Sequence, residues 1–278
     1  MRKPLFYLCI ALICCAACSN DPEVNLEPQA PRLNVNDSLA IVDIWEKSDG
    51  KKWASHWVLE NFWTWGGVGI VLDKEKNEYR IVKLVVNVPE DPSVQGTISP
   101  KLAELTELRN LVIGGKGITG EFPESIKKLN NLNNFTLTGT GISDTIPGYL
   151  FLLPNIKSIQ IMGNSGITGT LPMEILELPE DMLFLRFEYN SLSGKIPTGI
   201  KLDDTNVVLI GNKYTEFPFE YYNEDIAFLD LSYNEITGII PDTILNNKKA
   251  IDKLFYSTLR QKDGFGFDNP PKEWSKHK

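Results

Sequence analysis

Two histidines, His56 and His277, are all that this chain of 278 residues contains. No Ser-His-Asp or Cys-His set assembles from them, and no histidine-rich metal site exists, because imidazole is the usual base and a common metal ligand. Cysteine is confined: Cys9, Cys14, Cys15 and Cys18 all lie in the first eighteen residues. The rest of the chain therefore has no disulfide, thiol catalysis or zinc-thiolate site. Basic charge is also short, with 28 Lys and Arg against 36 Asp and Glu, a formal charge of −8. Binding phosphate backbones needs a basic face, so nucleic acid is not an expected partner. Gly66-Gly67-Val68-Gly69 is not followed by a helix start with Lys-Ser/Thr and makes no phosphate loop. Glu188 and Asp230 form a carboxylate pair in principle suited to acid-base work, but solvated strand-face charge is the simpler reading. No catalytic residue, metal or cofactor is expected.

What the chain does contain is self-similarity. Gly117-Ile118-Thr119-Gly120-Glu121-Phe122-Pro123 returns as Gly166-Ile167-Thr168-Gly169-Thr170-Leu171-Pro172, Ser191-Leu192-Ser193-Gly194-Lys195-Ile196-Pro197 and Glu235-Ile236-Thr237-Gly238-Ile239-Ile240-Pro241. Repetition at this period decides architecture before any local reading does. Upstream of each copy stands an apolar pair two residues apart, led by Leu84, Leu111, Phe135, Ile159, Leu185, Val207, Leu229 and, in degenerate form, Leu254, at spacings of 22 to 27 residues. Alternation along a strand points both members of each pair inward. Asn164, Asn190, Asn212 and Asn234 stand where a buried amide can satisfy turn backbone. Gly96, Gly120, Gly169, Gly194 and Gly238 supply the turn. Pro123, Pro147, Pro172, Pro197 and Pro241 preset the first turn of a short helical segment. Ile126, Leu150, Ile175, Ile200 and Ile244, three beyond those prolines, face the core. One unit cannot bury such a face alone, so stability is shared between neighbours.

Ahead of the repeats, Met1-Arg2-Lys3 and the thirteen-residue apolar run Leu5–Ala17 fit a signal peptide over residues 1–17, too short for the roughly 20 residues of a membrane helix. The run ends Cys15-Ala16-Ala17-Cys18, which resembles a bacterial lipobox; the resemblance implies lipid on Cys18. Residues 18–36, with Pro22, Pro28 and Pro31, read as a flexible tether. Residues 37–80 read as an N-terminal cap. Asp37 or Ser38 caps a helix with Leu39, Ile41, Val42, Ile44 and Trp45 on one stripe and Gly50 as its stop. Trp53, Trp57, Trp63 and Trp65 follow, either closing the end of a solenoid, the favoured reading, or forming a sugar-stacking platform.

A helix, then Trp63-Thr64-Trp65-Gly66-Gly67-Val68, then a strand over Arg80–Val86 is similar to the N-terminal cap of plant-type leucine-rich repeat proteins. The Gly-x-Ile-Pro turns resemble the same subclass. Phe62 and Ile70 stand near the places where that cap has cysteines, so packing replaces a disulfide. The resemblance implies an α/β solenoid: a right-handed horseshoe of about eight units over residues 81–260, one parallel sheet on its concave face, and an irregular C-terminal cap over 261–278. Phe265, Phe267 and Trp274 are expected to cover the last coil.

The repeats break their own rule in places. Pro89–Gln95 lengthens the first unit. In the sixth, Glu216 replaces the turn glycine and Phe217-Pro218-Phe219-Glu220-Tyr221-Tyr222 replaces the usual segment, either as compact packing or as a docking edge. The variable strand positions of the early units are small or amide-bearing. The later ones present Met162, Phe184, Arg186, Glu188, Tyr189, Val208, Ile210, Phe228, Asp230 and Tyr233. Apolar and aromatic groups rimmed by charge are what interaction surfaces look like. The resemblance then implies a non-catalytic binding scaffold for a protein or glycan. On this reading it is monomeric, exposed at the cell surface and held at the outer membrane by the lipid on Cys18; alternatively it is an inhibitor or accessory subunit of an extracellular enzyme.

Overall fold

The computed structural model describes residues 30–53, 57–87, 93–200, 205–220, 222, 228–258 and 260–277. The chain divides into Met1–Ala30 and Pro31–Lys278, and the second unit holds the helices and strands described. The expected signal peptide, Cys18 and most of the tether lie outside the described residues, as does the greater part of the Pro89–Gln95 insert. Among the described residues no helix is long and apolar enough to cross a membrane.

One nine-stranded sheet organises this unit. It comprises β1 (Arg32–Leu33), β2 (Val68–Asp73), β3 (Glu78–Asn87), β4 (Asn110–Gly114), β5 (Asn134–Thr138), β6 (Ser158–Met162), β7 (Phe184–Glu188), β8 (Asn206–Val208) and β9 (Phe228–Asp230). From β3 to β9 each strand pairs in parallel with the next, in register: Leu84 lies opposite Leu111, Leu111 opposite Phe135, and so on to Val207 opposite Leu229. The expected inward pairs are buried in all seven strands, from Leu84 and Val86 to Leu229 and Leu231. Shorter parallel ladders, Gly96–Thr97 with Ile118–Gly120 and Ile167–Gly169 with Ser191–Gly194 among them, lie at the repeated turns. Ile126, Leu150, Ile175, Ile200 and Ile244 close the core from the far side.

The asparagines link successive units. Asn212 Nδ2 donates to Phe187 O at 2.6 Å and to Leu209 O at 3.0 Å, while its Oδ1 accepts from Leu192 N at 3.2 Å. Asn164, Asn190 and Asn234 bridge in the same way, so backbone groups left over by the turn find partners out of reach of water.

Several local expectations are corrected. The first helix, α1, runs Val35–Lys47 and is capped by Asn34, whose side chain accepts from Asn36 N and Asp37 N. Asp37 is instead buried, taking the Arg80 guanidinium in two bonds of 3.0 and 3.1 Å and the Ile81 N–H at 2.8 Å. Arg80, its charge held by that hydrogen bond against desolvation, has a pKa raised above its ordinary value. The tether thus ends earlier than residue 36, since Arg32 and Leu33 already pair with Glu78 and Tyr79. The cap strand is longer than Arg80–Val86 and forms a hairpin with β2, which the Gly-rich reading missed. Pro123, Pro147, Pro172 and Pro241 precede their helical segments rather than opening them, because their own backbone is extended, with ψ of 125 to 152°. Gly96 does not have a positive φ; it is required because a Cβ would lie 2.5 Å from Ser48 Cα of the cap.

The ends are closed by different means. Trp53, Trp57 and Trp65 are buried, Trp57 stacked on Trp65 at 5.5 Å, with each ring N–H bonded to a backbone carbonyl. Phe62 and Ile70 pack against this core. Only Trp63 of the block is exposed among the rings whose burial is described, which removes the block as a sugar platform. At the other end the degenerate eighth strand is not a strand. After a one-turn helix α2 (Asp242–Leu245), residues Lys248–Thr258 form helix α3, with Ala250, Ile251 and Leu254 inward and Tyr256 exposed. Phe217 and Tyr222 are buried, and Phe217 and Phe219 contact Phe267 at 6.3 and 5.6 Å, so these three rings are core and do not form a docking edge. Phe267 and Trp274 do cover the last coil, whereas Phe265 stays exposed.

Candidate functional site

The outward positions of β6 to β9 form a grid, because parallel pairing in register sets equivalent residues side by side. Phe184 lies opposite Asn206 and Asn206 opposite Phe228; in the next row Gln160, Arg186, Val208 and Asp230 follow one another; in the third Met162 lies opposite Glu188. Neighbours in a row are about 4.8 Å apart, and neighbours in a strand on this face about 6.6 Å.

Burial sorts the expected residues. Tyr189, Phe228 and Tyr233 stand clear, at 57, 45 and 39% exposure. Met162, Phe184, Arg186, Ile210 and Asp230 are half-buried. Val208 is not presented at all: at 6% exposure it lies between Arg186 and Asp230, whose longer side chains flank it. Glu188 is buried as well, because Arg186 Nε and Nη2 grip its two oxygens at 2.5 and 2.9 Å. That bidentate pair removes Glu188 from the acid-base arrangement with Asp230. Burial pushes the Asp230 carboxyl above its ordinary pKa, against the Ser232 N–H that donates to Oδ1 at 2.8 Å, with Glu188 adding a like charge.

A fourth row follows the strand ends. Gly115, Gly139, Gly163 and Gly211 have φ between 59 and 106°, and the equivalent places in the fifth and seventh units are Tyr189 at 50° and Tyr233 at 58°. Each of these six N–H groups donates to a carbonyl further along the chain, in the next unit or, for Tyr233, in the segment after α3: Gly163 to Glu188 O, Tyr189 to Ile210 O, Gly211 to Ser232 O and Tyr233 to Arg260 O among them. The backbone course is therefore imposed by the repeat and cannot relax to suit the side chain. A non-glycine residue there costs roughly 1–2 kcal/mol, the steric penalty of the left-handed region. Both tyrosines nevertheless remain exposed. Tyr189 lies across Gly211, where a Cβ would sit 2.5 Å from its ring. Arg260 Nη1 donates to the Tyr233 hydroxyl at 3.1 Å, which raises the pKa of Arg260. Neither Gly211 nor Arg260 was legible as part of the site. The first is one turn glycine among many, and the second follows a segment read as a strand. Among the described residues no group of His, Cys, Asp and Glu is placed to hold a metal ion.

Residues 226–247, which include β9 and the last turn, match the model of the Leucine Rich Repeat family. The fold is a leucine-rich repeat solenoid. It is similar to a chain of the BIR3–SERK2 complex from Arabidopsis thaliana, at 21% identity over 63% of this chain and 94% of that one, with a TM-score of 0.50. The leucine-rich repeat ectodomain of the receptor kinase SOBIR1 from the same plant is similar at 22% identity, 66% and 97% coverage and a TM-score of 0.48. A leucine-rich repeat protein from Bacteroides eggerthii is similar at 14% identity, 78% and 55% coverage and a TM-score of 0.49. No curated protein sequence matches. These likenesses concern the fold; the leucine-rich repeat frame accounts for the buried rows, and the outward rows vary upon it.

Proposed function

We propose that this leucine-rich repeat chain is a non-catalytic recognition scaffold that binds another protein through the strand face of its fifth to seventh units. The supporting observation is the grouping of Tyr189, Phe228 and Tyr233, all exposed, around half-buried Phe184 and Ile210 at one end of the sheet. The other end presents Lys83, Asn110, Asn134, Thr136 and Thr138 instead. Exposed aromatic groups bordered by charge favour a macromolecular partner, since burying them releases far more than isolated surface residues do. A photo-crosslinking residue placed at Phe228 should capture a partner from the cell envelope, and one at Asn110 should not. Equal capture at both positions would remove this face from the proposal.

The leader extends the reading. Cys15-Ala16-Ala17-Cys18 supports a lipid anchor on Cys18, with the Pro-containing segment that follows holding the repeats away from an outer membrane. Metabolic labelling with a fatty acid should mark the wild type and leave Cys18→Ala unmarked; equal labelling would sink the anchor.

A further inference from the structure

One carboxylate on the candidate face lacks an ion-pair partner among the described residues. Its guanidinium group, on Arg186, is held by Glu188 in two bonds of 2.5 and 2.9 Å. The neighbouring Arg260 is turned to the Tyr233 hydroxyl at 3.1 Å. Asp230 has no salt bridge among the described residues, although its surroundings take much of its side chain out of water. It stands two residues after exposed Phe228 on the same strand and face, and three before exposed Tyr233. A half-buried carboxylate without a cation is costly to keep, and a neighbouring aromatic face attracts the same cation that a carboxylate does. The whole chain, at a formal −8, adds a field of matching sign.

Resting on the reading of this face as a protein-binding surface, we propose that Asp230 receives a lysine or arginine side chain of a bound polypeptide segment, whose apolar neighbours cover Phe228 and Phe184. The segment lies across β7 to β9, its cation between Phe228 and Tyr233 and its remaining contacts on the Tyr189 ring. Arg186 serves as a positioning residue. By holding Glu188 it leaves Asp230 as the carboxylate of the face without an ion-pair partner, and so defines where a single cation goes. A partner with an acidic side chain at that point would meet the Asp230 carboxylate and be rejected.

The test uses the full chain and pools of end-blocked nonapeptides, with apolar residues at the flanking positions and Lys, Arg, Gln or Glu fixed at the centre. The Lys and Arg pools should bind at least about tenfold more tightly than the Gln pool, and the Glu pool should not bind. Asp230→Asn keeps an oxygen for the Ser232 N–H, so its thermal midpoint should equal or exceed the wild type while the preference for Lys and Arg disappears. Phe228→Ser should weaken the Gln pool as well as the Lys and Arg pools, the latter more because they also lose the aromatic face beside the cation. Pools that bind without regard to the central charge, or a Lys preference that survives in Asp230→Asn, would overturn the cation inference; if Phe228→Ser still abolished binding, the face itself would stand. No binding by any pool, with Phe228→Ser indistinguishable from wild type, would overturn both.

Discussion

At the scale of single residues, two aspartates show opposite uses of burial. Asp37 is fully enclosed but meets Arg80 in a bidentate pair and also accepts the Ile81 N–H, which ties α1 to β3 across the cap. Asp37→Ala would leave a buried guanidinium with the Thr106 hydroxyl at 3.0 Å and with Glu78 and Glu107 no nearer than 4.0 and 3.9 Å. The expected loss is about 3–5 kcal/mol in chemical denaturation; a loss under about 1 kcal/mol would show that the cap is not held this way. Asp230 is less enclosed and has no such partner. Its folded pKa is raised, mainly by desolvation and slightly by Glu188, so ionising it opposes folding, and that penalty is felt as the pH rises through the folded pKa. Asp230→Asn should therefore unfold at higher urea than wild type at pH 7, and the gap should narrow as the pH falls toward the ordinary aspartate value of about 4. A gap that widens on acidification would contradict the assigned direction. Stability gained by removing a charge is the mark of a group kept for something other than folding. The sequence shows which residues line the face, since alternation and register fix that. It does not show that Val208 is shielded by Arg186 and Asp230 or that Glu188 is gripped, because both depend on side-chain lengths in adjacent strands.

Among elements, the repeated turn determines what can be foreseen. Phase, inward pairs and the asparagine row follow from the period, because each position repeats the same burial and the same unsatisfied backbone groups. The asparagine row is open to a direct comparison. Asn212→Ala takes the side-chain partner from Phe187 O and from the Leu192 N–H inside the core, while Leu209 O keeps its bond from Asn234, and it should cost about 2–4 kcal/mol. Asn206→Ala, on the outward face, should cost under about 0.5 kcal/mol. Equal costs in denaturant titrations would mean that the buried row is not the link between units. Where the repeat fades, the reading fails in a specific way. Ile251, Leu254 and Tyr256 extend the strand pattern on paper, yet Ile251 and Leu254 are three apart, a helical spacing, and the Asn247 side chain accepts from Lys249 N and Ala250 N to start α3. The hairpin of β2 and β3 is similar: Asp73 Oδ1 takes the Glu75 and Lys76 N–H groups and turns the chain, a signal hidden beside the louder tryptophan pattern.

For the molecule as a whole, a parallel sheet must end somewhere, and its last strand presents unpaired backbone and an open core. Here α3 and the segment after it take that role. Ser257 O accepts from Leu231 N at 2.7 Å, Arg260 O accepts from Tyr233 N, Ala250 O accepts from the Tyr222 hydroxyl at 3.1 Å, and Gly266–Phe267 pairs with Thr237–Gly238. The same closure positions the candidate face, since Arg260 holds Tyr233 and the closing segment bonds the backbone on the side of β9 that β8 leaves open. Ending the chain at Pro241 would uncover Leu229, Leu231, Ile236 and Ile240 together. In a stack where each unit leans on its neighbours, the damage should travel inward and fade with distance. Hydrogen exchange on the shortened chain should thus show β8 and β9 losing protection by at least about a hundredfold while β4 and β5 keep theirs, with capture at Phe228 lost in parallel. If β4 and β5 lost protection equally, the repeats would form a single cooperative unit, and the closing helix would hold the N-terminal strands as firmly as it holds the candidate face.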